Sequence, residues 1–168
     1  YQGVDLLLKA IPLVCRRCQS VRFVIIGGTG AEIAERIKRL EEERAAESVS
    51  FIGKIAPDNL PDYLAASDIL LSPRLSGVNT PLKLLDYLKA GRSIVATDIE
   101  ANKLILDEST SVLAVPEPEA LAEAVIKLVE DKEKRETLGR NGRKLYEQKY
   151  NFQEYSKRLA ACYADILQ

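Results

Sequence analysis

The 168-residue chain contains no histidine. That removes imidazole acid–base chemistry from it, and most zinc arrangements as well. Cysteine is scarce, with only three, at Cys15, Cys18 and Cys162. Cys15 and Cys18 have the C-x-x-C spacing of a redox pair or half a zinc site. No second C-x-x-C exists, however, and the pair falls inside a helical pattern, so it reads as thiols on a helix face in a reducing compartment. No apolar run approaches the roughly 18 residues of a membrane span. Charge of one sign is missing too, since 24 basic residues against 25 acidic leave a net charge of −1. That argues against binding nucleic acid through bulk charge and leaves room for a local basic pocket. The dinucleotide fingerprint G-x-G-x-x-G is absent, because Ile33 stands where a count from Gly28 requires the third glycine. The G-K-[ST] of a P-loop is absent as well. There is no internal repeat, low-complexity tract or splitting linker, and no visible signal peptide. The chain opens on Tyr1 rather than Met, so part of the polypeptide is expected upstream.

What remains is one domain's length of ordinary globular composition, 46% hydrophobic and 29% charged. Val4, Leu7, Leu8, Ile11 and Val14 recur at helical spacing. Short apolar strands are predicted at 21–26, 49–53, 69–71, 93–96 and 111–115. Helices are predicted between them at 31–46, 57–66, 81–90 and 100–106, and three more close the chain at 118–130, 132–150 and 153–167. Strands that are apolar along their whole length and alternate with helices mark a parallel sheet covered on both faces. The fold class is therefore α/β, a doubly wound, Rossmann-like parallel sheet with C-terminal helices.

Two loops leave predicted strands where ligands of open α/β sheets bind, outside the carboxyl ends. The first, Gly27-Gly28-Thr29-Gly30, permits close approach of a ligand to the backbone, but an ordinary tight turn accounts for it equally. The second runs from Ser72 to Asn79 and holds Arg74. It leads into Thr80 and Pro81, which predict a helix start with Thr80 as cap and Pro81 at the first position. A helix N-terminus is a natural seat for phosphate. Lys83 in the first turn opposes the helix dipole unless an anion lies nearby. Arg74 and Lys83 together suit a diphosphate, while a solvated arginine and a Lys83–Asp86 surface pair is the plainer alternative.

At these residues the chain resembles the C-terminal, nucleotide-sugar-binding domain of the GT-B glycosyltransferases of family 4. Residues 1–7, YQGVDLL, resemble the family's KGVDLLL helix start, and VIIGGTG at 24–30 its IVGDGP turn. VSFIG at 49–53 resembles VTFLG, and LAASDI at 64–69 resembles YAAADV. Residues 79–85 and 91–97 resemble a sub-group reading NTPLKLxxYLAxGxPIVAT, and LGRNGRK at 138–144 is shared with the group. The resemblance covers nearly the whole chain.

It implies a sugar nucleotide, UDP- or GDP-linked, held in a cleft between two similar domains, with no metal or other cofactor. By position, Thr80, Pro81 and Leu82 would present helix-end amides to the diphosphate, and Lys83, the catalytic candidate, would add its charge. Asn79 and Arg74 would lie beside them and Asp86 would meet the ribose hydroxyls. Ile55 and the loop of Gly27, Gly28 and Gly30 would line the base and ribose side. There are departures from the family pattern. Val78 stands where many members have a glutamate, Asp86 where the second glutamate falls, Gln2 where a lysine precedes GVD, and Asn102 where the sub-group often has histidine.

The implied function is the donor domain of a retaining hexosyltransferase in polysaccharide or glycolipid assembly. The implied location is cytoplasmic, with peripheral contact to the inner membrane face through an N-terminal domain outside this chain. The family's domain starts with a central strand before the GVD helix, so residues 1–168 are expected to be a fragment that binds donor weakly and transfers nothing alone. A non-catalytic scaffold of the same descent is the alternative that the departures suggest. An oxidoreductase of Rossmann type is disfavoured by the missing glycine fingerprint.

Overall fold

The structure, a computed structural model, describes residues 2–166. Helix α1 (Val4–Arg17) turns Leu7, Ile11 and Val14 inward. It leads into β1 (Phe23–Ile26), which pairs in parallel with β2 (Val49–Gly53). Between them runs α2 (Gly30–Glu42), so Gly30 belongs to the helix rather than to the loop before it. Thr29 and Glu32 form a capping box there. The Glu32 carboxylate accepts from Thr29 N–H at 2.7 Å, and Thr29 Oγ1 accepts from Glu32 N–H at 3.4 Å. A short 3-10 turn (Pro57–Asn59) and α3 (Leu60–Ala66) lead to β3 (Ile69–Ser72).

A second parallel sheet contains β3, β4 (Ser93–Thr97) and β5 (Ser111–Ala114) in that order. Every residue of β4 is buried, as a strand paired on both sides and covered on both faces must be. Helices α4 (Lys83–Ala90), α5 (Glu100–Lys103), α6 (Pro118–Glu130) and α7 (Lys132–Leu145) follow their strands or close the sheet. The predicted helix over 132–150 breaks after Leu145 into a π-turn (Tyr146–Tyr150), before α8 (Phe152–Ile166). Asn151 caps α8, its side-chain oxygen accepting from Glu154 N–H at 2.9 Å.

One apolar core joins the two sheets. Residues of α1 and α6 pack on Phe23 and Ile25 of β1 and on Ile69, Leu71 and Val95 of the second sheet. A smaller core of Leu84, Leu88, Ile94, Ala96 and Leu106 lies on the opposite face, under α4. There α7 approaches the end of α4 so closely that a Cβ on Gly139 would collide with the Gly91 carbonyl. Among the described residues, β1 and β3 do not pair with each other, so the sheet is interrupted between them.

Candidate functional site

Gly3 at the start of α1 lies against the Pro73 carbonyl, just past the end of β3. A Cβ at that position would overlap the carbonyl, and its φ of +74° suits glycine. From there α1 carries the chain away, and β1 runs back toward the same end. The loops after β1 and β3 therefore open on one side of the molecule. The structure divides the predicted site residues into two groups at those strand ends.

The first group follows β1 and β2. Gly27 N–H donates to the Gly53 carbonyl at 2.6 Å, tying the two strand ends together, and Ile55 is half-buried two residues beyond. Gly27 and Gly28 have φ of +106° and +91°. A Cβ on Gly28 would come within 3.0 Å of Arg36 Nη1. Arg36, which is ion-paired with Glu32 at 3.7 Å, thus places a guanidinium beside this loop. Sequence reading missed it, because one arginine among many on a charged helix carries no signal.

The second group follows β3. Arg74 is only 5% exposed. Its Nε donates to the Ser76 carbonyl at 2.7 Å and its Nη1 to the Asn79 carbonyl at 3.0 Å, so the guanidinium shapes the loop that leads to α4. Gly77 passes over it with φ of +129°, where a side chain would strike the guanidinium. Beneath, Thr97 Oγ1 donates to the Arg74 carbonyl. Asn102 Nδ2 in turn donates to Thr97 O at 2.8 Å and to Thr97 Oγ1 at 3.1 Å. This buried chain of polar groups fixes Arg74 from below. Sequence reading had noted Asn102 only as a departure from a pattern. Among the described residues, Ser72 Oγ and Asn102 Oδ1 are buried without a hydrogen-bond partner.

The start of α4 differs from expectation. Pro81 does not occupy the first helical position, and Thr80 does not cap the helix. Leu82 holds the N-cap position with no side-chain cap, and the helix begins at Lys83. The reason is a tight turn ahead of it, in which Leu84 N–H donates to Pro81 O at 2.9 Å and Leu85 N–H to Leu82 O at 3.0 Å. Thr80, as the residue before a proline, is steered away from helical backbone. Among the described residues, the N–H groups of Leu82 and Lys83 donate to no backbone carbonyl, so the helix end still offers free donors and its partial positive charge.

Lys83 is half-buried, and among the described residues it makes no ion pair with Asp86, which is exposed. Burial first, then the charge of nearby Arg74, pulls the Lys83 ammonium below its ordinary pKa. Two cations and the helix-end amides thus lie close together at the start of α4. Next to them Tyr87 donates its hydroxyl to the Leu71 carbonyl at 3.2 Å. Burial and the Asp86 carboxylate push that phenol up to about 12, so it stays a donor throughout the physiological range. Val78 and Leu82 project outward at 87% and 76% exposure.

The model of the family described as glycosyl transferases, group 1, matches residues 1–131. A glycosyltransferase of Methanocaldococcus jannaschii, MJ1069, is 25% identical over 159 residues, covering 94% of this chain and 40% of the relative. The phosphatidyl-myo-inositol mannosyltransferase of Mycolicibacterium smegmatis is 27% identical over 133 residues, covering 77% of this chain and 33% of that protein. Among solved structures, Anabaena Alr3699/HepE in complex with UDP superposes with a TM-score of 0.88 at 18% identity. That match covers 98% of this chain and 46% of HepE, and such similarity shows a shared Rossmann-like, GT-B fold. The chain therefore spans less than half the length of each of these three relatives. With the model covering well over half of its residues, the chain belongs to the group 1 glycosyl transferases.

Proposed function

We propose that this chain is the donor-binding half of a retaining hexosyltransferase, which takes a UDP- or GDP-linked sugar and serves a glycan or lipid-linked acceptor. The observation that carries this reading is the anion seat at the start of α4. There Lys83, held charged at a cost by burial, stands beside Arg74 and the free N–H groups of Leu82 and Lys83. The UDP held by the HepE structure is an anion of the right kind. Transfer of the sugar leaves a nucleoside diphosphate, so negative charge grows on the phosphate oxygen at the broken bond. Fixed dipoles and a cation aimed there stabilise the transition state more than the ground state. Lys83 and the helix-end amides supply that stabilisation, and Arg74 holds the loop while adding positive potential. Asp86, exposed on the same turn of α4, meets the ribose hydroxyls, and Ile55 with Gly27 and Gly28 receives the base. No metal or further cofactor enters the scheme. The acceptor is held by the other half of the full-length protein, which works in the cytoplasm and touches the inner membrane face through that half.

Calorimetric titration of the full-length protein with UDP, GDP and their sugars tests this reading. Micromolar to millimolar binding of one nucleotide series is expected, and no binding of either sinks the proposal. The exposed, uncharged Val78 beside the seat favours one other reading, a non-catalytic domain of the same descent. Turnover by the full-length protein that is lost in Lys83→Ala and Asp86→Ala excludes it.

A further inference from the structure

The loop between β3 and α4 exposes three large apolar side chains within a short stretch. Leu75, Val78 and Leu82 are 42%, 87% and 76% exposed. Each adjoins a group of the anion seat. Leu75 follows Arg74 in the chain, and Leu82 supplies one of the helix-end amides. Val78 lies between Gly77, which passes over the Arg74 guanidinium, and Asn79, whose carbonyl accepts from that guanidinium at 3.0 Å. The loop is pinned through Arg74, so these side chains stand at fixed places around the seat. A single exposed apolar residue is ordinary, whereas several around one ligand seat mark a contact surface. Residues 73–85 contain no carboxylate. The carbonyls of Ser76 and Asn79 already accept from Arg74.

Resting on the donor reading above, we propose that this apolar rim selects a donor sugar bearing a methyl group, carried as a 6-deoxy or an acetamido substituent. The sugar of a nucleotide donor is bonded directly to the phosphate that the seat receives, so its ring lies against whatever surrounds the seat. Beneath Arg74 the space is filled by the buried Thr97 and Asn102, which leaves the ring on the outer side, where Leu75, Val78 and Leu82 stand. A sugar hydroxyl pressed against these side chains gives up its water and finds no polar partner in exchange, which costs binding. A methyl group in the same place covers apolar surface and gains binding. The exposed Asn79 amide on the same loop serves a remaining ring hydroxyl or the acetamido carbonyl. One methyl group in an apolar contact discriminates by about ten-fold or somewhat more, which sets the size of the preference expected here.

Calorimetric titration of the full-length protein with matched donors tests the assignment. UDP-N-acetylglucosamine is compared with UDP-glucose, UDP-6-deoxyglucose with UDP-glucose, and GDP-6-deoxymannose with GDP-mannose. In at least one pair the methyl-bearing donor should bind about ten-fold tighter. Preference in the first pair identifies the acetamido group, and preference in either of the others the 6-deoxy group. The double variant Val78→Thr with Leu82→Gln changes two side chains that stand in solvent and keeps the backbone amides of the seat. In it the ratio of the paired affinities should fall toward one. Equal affinities in every pair, or tighter binding of the hydroxylated sugar, overturn the proposal while leaving the donor reading intact. A preference that survives both substitutions overturns it as well, because the methyl group is then read elsewhere. Binding of neither UDP nor GDP by the unaltered protein overturns the donor reading itself, and the sugar assignment with it.

Discussion

Replacing Lys83 with methionine in the full-length protein tests the anion seat from two sides. The amine is half-buried beside Arg74, and both conditions disfavour its charge. In the unliganded protein near neutral pH that charge is a burden on the fold. The sign follows from linkage. Above the ordinary value of 10.5 the amine is neutral in both folded and unfolded states, and no penalty applies. As pH falls through the lower folded pKa, the folded state must accept a proton it disfavours, and stability is lost. Lys83→Met keeps the stem and removes the charge, so the unliganded variant should melt at a higher temperature than the parent near pH 7.5. With a nucleoside diphosphate bound, the balance inverts. A charged hydrogen bond at a partly desolvated site contributes about 1–3 kcal/mol, a loss of affinity of roughly 5- to 150-fold. Titration calorimetry in buffers of different ionisation enthalpy adds a third readout. Because the anion raises the Lys83 pKa, binding should take up an increasing fraction of a proton as the pH approaches that pKa, and the variant should take up none. Unchanged nucleotide affinity together with an unchanged melting temperature would refute the reasoning.

The remaining predictions concern the scaffold of the site. Gly3→Ala sets a methyl into the Pro73 carbonyl at positive φ and should cost at least about 1–3 kcal/mol by thermal denaturation. Gly30→Ala, with open space around its Cβ and a helical backbone, should instead gain about 0.5–1 kcal/mol. Thr97→Val removes the hydroxyl that holds the Arg74 carbonyl and should cost about 1–3 kcal/mol of stability. The same change should weaken nucleotide binding through the loosened loop, and wild-type affinity would show that Arg74 is held without it. Asp107 accepts from Ser109 Oγ at 2.6 Å and from Ser109 N–H at 2.9 Å, which lowers its carboxyl pKa. Its contribution is present above the unfolded carboxylate value and disappears as pH falls through the lower folded one. Asp107→Asn should therefore melt below the parent at pH 6 by a small margin, because water screens the exposed group, and the gap should close in more acidic buffer.

The parts of this molecule that were legible in the sequence are those where one local pattern has one physical outcome. Residues 93–96 form a short run without polar alternation between a glycine stop and a polar turn, and a strand buried on both faces forms there. Residues 118–130 carry Pro near the start and a continuous apolar face, and α6 forms over those same residues. Lys83 stands out for a different reason, since a cation in a first helical turn runs against the dipole and suits a nearby anion, the role proposed for it. What could not be read depends on contacts between distant residues. Arg74 is written as one more charged loop residue, yet it is buried under Gly77 and supported by Thr97 and Asn102, which stand more than twenty positions further along the chain. The start of α4 moved from Pro81 to Lys83 because a turn that satisfies the amides of Leu84 and Leu85 competes with the cap that Thr80 offers. That competition leaves Leu82 and Lys83 with unspent N–H groups, where a Thr80 cap would have taken up one of those donors itself. The failure of the sequence rule and the anion seat proposed here therefore share one cause, a helix end left without a side-chain cap.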